Sequence, residues 1–102
     1  MDNENIDVKT LLPKFKLSVG DLTPISTELD DYYENFLTSA LEILRSNDIS
    51  ETTLKTELGQ TSVVMYAKAL MDGIDISTDN TCVLLRNTLS VRTKGERYAD
   101  GK

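Results

Sequence analysis

From Glu28 to Ser46 the apolar residues Leu29, Tyr32, Tyr33, Phe36, Leu37, Ala40, Leu41, Ile43 and Leu44 recur every third or fourth position. That spacing predicts an amphipathic helix over residues 28–46, with Ser26 or Thr27 as its N-cap and the acids Glu28, Asp30 and Asp31 around its positive end. "SNDIS" breaks the rhythm, and Ser50 followed by Glu51 has the chemistry of a new helix start. The next pattern, from about Thr52 to Met71, puts Leu54, Leu58, Met65 and Ala69 on one face and makes "VVMYAKALM" apolar on nearly every side. Such a segment is either central in a core or shared with another subunit. It is expected to run as one helix from Leu54 through Gly59 to Met71, closing at Gly73.

A last helix, from about Thr78 to Val91 or beyond, carries Cys82, Leu85 and Leu89 on one stripe, with Leu84, Thr88 and Val91 beside it. The remainder, "RTKGERYADGK", has too few apolar residues for a core, so residues 1–92 are expected to form a helical domain and residues 93–102 a flexible tail. Before the long helix, Val8, Leu11, Leu12 and Phe15 have helical spacing interrupted by Pro13. Proline inside a helix costs about 3 kcal/mol, which favours two short turns with Pro13 at the start of the second, ending near Gly20. No alternating run calls for a strand. The expected fold is all-α, a compact bundle of about four helices with a short broken helix in front and a polar tail behind.

Charge and composition narrow the function. With 17 acidic against 11 basic side chains the net charge is −6, which opposes the phosphate contacts that give duplex binding its affinity. The chain has no histidine and one cysteine, so the usual neutral-pH general base, an internal disulfide and a thiolate cluster are not available to it. Catalysis is not expected, and nothing calls for a cofactor or a metal. The acidic, polar start is unlike a signal peptide, no run is long enough to span a membrane, and a cytosolic origin is expected.

Four constellations carry candidate chemistry. Asp30, Asp31 and Glu34 could together hold a hard cation, but a solvated first turn explains them as well. "LKTELGQTSVVMYAKAL" has the outline of a helix-turn-helix with Gly59 at the turn, yet it offers apolar side chains where base-reading residues belong. Cys82 lacks a basic partner in its own helix turn, as expected for an inert thiol. Tyr32 and Tyr33 point about 100° apart, so both cannot face one small core, and tyrosine suits an interface dry at its centre and wet at its rim.

"VKTLLPKFKLSVGD", "ELDDYYENFLTSALEIL", "TSVVMYAKALMDG" and "NTCVLLRNTLSVRTKGER" together resemble the small helical head-tail connector family of long-tailed bacteriophages and prophages. The likeness lies in an opening turn, the acidic pair Asp30 and Asp31, a long helix marked by Leu29, Phe36, Leu37 and Ala40, and a final helix with Leu84, Leu85 and Arg86 before a basic end. Two departures are Pro13 in the first helix and "YAKALMDG" where a tryptophan or arginine-rich ending is usual. The resemblance implies a ring of identical subunits beneath the capsid portal, contacting the portal protein and a tail adaptor while DNA passes through without specific binding. It implies a place at the head-tail junction of the virion after assembly in the host cytoplasm, and no membrane. Glu28, Asp30, Asp31, Tyr32, Tyr33, Tyr66, Arg92, Lys94, Arg97 and Tyr98 are the expected interface residues, the basic end lying against the acidic turn of a neighbour or against the portal. A small acidic regulator or DNA mimic is an alternative, as is the helix-turn-helix regulator.

Overall fold

A computed structural model describes residues 6–21 and 26–99, with side chains to residue 96. A 3-10 turn at Val8–Leu11 leads into α1 (Leu12–Ser18), followed by α2 (Asp30–Ser46), α3 (Glu51–Leu54), α4 (Glu57–Met71) and α5 (Asn80–Ala99). There is no strand among the described residues, and the expected small all-α bundle is what the chain forms.

Pro13 sits in the first turn of α1, where its missing N–H is not needed, and the preceding turn is capped by Asp7, whose carboxylate accepts from the Lys9 N–H at 2.9 Å. The broken first helix is therefore as the sequence predicts. α1, α2 and α4 end alike, with a residue of positive φ at Gly20, Asp48 and Gly73 respectively. In each, the next N–H reaches back to the carbonyl four residues before that position: Asp21 to Lys16 at 3.0 Å, Ile49 to Leu44 at 3.3 Å and Ile74 to Ala69 at 2.9 Å. Two of the three use glycine, and Asp48 is the exception.

α4 is the centre of the molecule. It packs against α1, α2, α3 and α5, and buries Gly59, Ser62, Val63, Val64, Tyr66, Ala67 and Ala69. Around it lie Leu11, Phe15, Leu37, Ala40, Leu41, Leu44, Leu54 and Leu89. Each large aliphatic side chain fully buried this way contributes about 1.5–3 kcal/mol. The all-round apolar character of "VVMYAKALM" is thus answered within one chain. Met65 alone in that run is 40% exposed, so it is not on the core face where the sequence pattern puts it.

Three element boundaries differ from the sequence pattern. The helix expected from Leu54 to Met71 is two, broken at Lys55 and Thr56. Thr56 caps α4, accepting from the Gly59 N–H at 3.0 Å while its hydroxyl donates to the Thr53 carbonyl at 2.6 Å. Gly59 lies inside α4, not at a turn, and it is glycine because a Cβ there would come within 2.5 Å of the Leu54 carbonyl oxygen and closer still to that of Thr53. α2 begins at Asp30, and its N-cap is Leu29, with no side-chain cap; Ser26 instead accepts from the Glu28 N–H at 3.3 Å, one turn too early.

The third difference is the largest. α5 continues through the residues expected to be a tail, and the boundary at residue 92 falls inside it. Thr93 is buried, accepts from the Ser50 N–H at 3.2 Å and donates to the Thr53 hydroxyl at 2.9 Å. Thr53 in turn donates to Glu96, and the other Glu96 oxygen accepts from the Ser50 hydroxyl at 2.8 Å. A polar segment is anchored here by satisfied hydrogen bonds that end on a carboxylate, a connection invisible to any count of apolar residues.

Candidate interaction surface

The acidic turn at the start of α2 is partly occupied by the chain itself. Lys16, only 6% exposed, places its Nζ 2.7 Å from Asp30 Oδ1 and donates to the Ser26 carbonyl at 2.9 Å. Asp30 is therefore engaged as a counter-ion within the chain, although it stays partly accessible. Lys9 and Lys14 are also paired, with Glu34 at 3.4 Å and Glu57 at 3.0 Å. Glu28 and Asp31 are exposed and make no ion pair among the described residues. This corner thus has its bases matched and two acids to spare.

The tyrosines divide. Tyr33 is buried, stacks edge-on against Phe15 at 5.3 Å and donates to Asp21 at 3.2 Å; burial, with Asp21 beside it, pushes its phenol pKa up. Tyr66 is buried against α5, donates to the Cys82 carbonyl at 2.7 Å and is likewise raised by burial. Neither can meet a partner, so both leave the set of interface residues. Each phenol finds an internal acceptor, which is what admits tyrosine to a core. Tyr32 is 50% exposed and leans on Phe36, with ring centroids 5.2 Å apart and nearly perpendicular. Leu29, 49% exposed, precedes it by one turn.

On α5, Cys82, Leu89 and Thr93 face inward, and Leu84 and Val91 stand out at 65% and 68% exposure. The spacing predicts that Thr88 and Gly95 continue this outer stripe. Arg92 and Lys94 beside it are exposed and unpaired among the described residues. The backbone at 97 and 98 is helical, but the Arg97 and Tyr98 side chains lie outside what the structure describes. Sequence pattern located Leu84, Thr88 and Val91 only as a secondary stripe; the exposure of Leu84 and Val91, with Thr88 half-buried between them, is what makes them a candidate surface.

No group of acids, cysteine or histidine that could hold a metal occurs among the described residues, and the Asp30, Asp31 and Glu34 set is divided by its lysine pairings. Burial pushes the Cys82 thiol up to about 11, as for an inert core sulfur. Its hollow, about 250 Å³ and lined also by Met65, Ala69 and Ile74, presents mostly aliphatic surface. No helix among the described residues is long and apolar enough to cross a membrane. No protein family, curated protein or solved structure matches the chain.

Proposed function

We propose that the protein is a structural assembly subunit of the head-tail connector type, forming a ring with copies of itself beneath a phage portal and joining the capsid to the tail around the DNA exit channel. The observation that carries this reading is the pair of exposed apolar stripes with unlike flanking charge: Leu29 and Tyr32 beside Glu28 and Asp31, and Leu84 and Val91 beside Arg92 and Lys94. Apolar stripes rimmed by charge mark contact surfaces. The resemblance of the four sequence segments to connector subunits supplies the biological setting, with the portal protein and a tail adaptor as further partners and the virion head-tail junction as the place of action. The net charge of −6 suits a channel wall that DNA passes without adhering.

The helix-turn-helix alternative is disfavoured by the placement of α4. A recognition helix must lie open to a groove, and α4 is packed against all four other helices. A DNA-mimicking regulator is tested by the same experiment as the connector. Negative-stain microscopy of the concentrated protein should show annular particles or arcs of them. A protein that stays monomeric at millimolar concentration, or forms a stoichiometric complex with a basic DNA-binding enzyme, contradicts the proposal.

A further inference from the structure

We infer that copies of this chain join head to tail, the outer face of α5 on one subunit lying antiparallel against the start of α2 on the next. This deepens the ring reading and rests on it for its setting, but its argument comes from the spacing and charge of the two faces. Leu29 at the N-cap, Tyr32 and the half-buried Phe36 follow one another at intervals of three and four at the start of α2; Val91, the half-buried Thr88 and Leu84 do the same when α5 is followed backwards. Each stripe is about 10 Å long. Laid antiparallel, Leu84 meets Phe36, the small Thr88 meets the large Tyr32, and Val91 meets Leu29. That register brings Arg92 to Glu28, with Asp31 and Lys94 on the flanks.

Three physical terms favour the arrangement. The alternation of three and four is the packing repeat of neighbouring helices crossing at a shallow angle. Among the described residues the two acids make no ion pair, and neither do the two bases, so no pair there has to be broken first. The C-terminal half of α5 also approaches the N-terminus of α2, where the two helix dipoles attract. Beyond Phe36 the α2 stripe reaches Ile43, which shares a hollow with Ile76 of the same chain, so the free stretch of α2 is the part nearest its start. The two faces differ, and a contact between unlike patches propagates into a ring where the rotation closes. Both stripes are short compared with an interface of roughly 1,200 Å², so pairwise association is weak and assembly depends on concentration.

Sedimentation velocity of the full chain, over a concentration series reaching the millimolar range, tests the contact. Arg92→Glu and Glu28→Arg should each weaken association by about fivefold to tenfold, and the two changes combined in one chain should restore it to within about twofold. Val91→Lys should abolish it. All three positions changed are at the surface, so thermal unfolding of the variants checks that the fold is unaffected. If the unaltered protein associates but the charge reversals have no effect, or the combination stays weak, this contact is overturned while the assembly reading stands. If the unaltered protein does not associate at any concentration, both are overturned.

Discussion

α4 and α5 are both apolar on more than one side, and they end differently. In α4 the surplus is internal: the helix sits between all the others, and the residues that make "VVMYAKALM" so apolar are, Met65 apart, buried or half-buried. In α5 one apolar stripe is buried against α4 and α3 while a second, through Leu84 and Val91, faces outward. A broad apolar pattern therefore signals a partner only where the chain itself cannot cover it. The same division separates Tyr33 and Tyr66, which reach acceptors inside the fold, from Tyr32, which is half exposed and leans on the rings of Tyr33 and Phe36.

The contrast can be broken most severely from α4. Gly59→Ala forces a methyl group into the carbonyls at the end of α3, so the turn between α3 and α4 must open; a loss of about 3 kcal/mol or more in denaturant unfolding is expected. Loss of no more than the effect of a surface change would mean the turn is freely adjustable. Truncation after Arg92 should rank next. It leaves the Ser50 N–H and the Ser50 and Thr53 hydroxyls without their α5 partners, for a cost of about 3 kcal/mol. Unchanged unfolding would restore the idea of a passive tail.

Asp30→Asn removes a carboxylate partner of the buried Lys16 ammonium. Asp30 is partly accessible, so the cost is expected nearer about 2 kcal/mol than the larger values of fully buried pairs, read again by denaturant unfolding. On α5 the sign reverses. Gly95 lies in the helix with nothing near the position of an added Cβ, so Gly95→Ala should stabilise the monomer by about 0.5–1 kcal/mol. A decrease in melting temperature instead would show that this position is already in contact.

The smallest effect is in acid. Arg45 donates to Glu51, and the guanidinium holds that carboxyl below the usual carboxylate range. A depressed native pKa gives stability that is present above the ordinary pKa of the unfolded chain and fades as pH falls through the native value. Arg45→Met should therefore flatten the acid limb of melting temperature against pH and leave the slope above neutrality unchanged.

How much of this was legible in the sequence follows from where each interaction sits along the chain. Local rules located the break at Pro13, the cap at Ser50, the close of α4 at Gly73 and the body of α2, since each depends on residues within one turn. The break at Lys55 was hidden because residues on both sides have helical character, and the deciding contact is between Gly59 and the carbonyls of α3. The end of α5 was hidden because Thr93 and Glu96 are satisfied by Ser50 and Thr53, more than 40 residues upstream in the case of Glu96. Of the candidate interface, Glu28, Asp31, Tyr32, Arg92 and Lys94 are at the surface, whereas Tyr33 and Tyr66 are held inside and the half-buried Asp30 is engaged by Lys16, through partners no periodicity reveals.

The claim that the outer stripe of α5 is covered by α2 of another copy is tested most directly by cysteine trapping. Tyr32→Cys and Thr88→Cys are prepared as separate proteins, mixed and oxidised, with buried Cys82 left in place. A disulfide needs its Cα atoms within about 7 Å, so only facing positions should be trapped efficiently. The mixed 32–88 dimer should form faster than either homodimer and disappear when Val91→Lys is added to the Thr88→Cys chain. Homodimers alone, or a mixed product no faster than the random rate in denaturant, would contradict it.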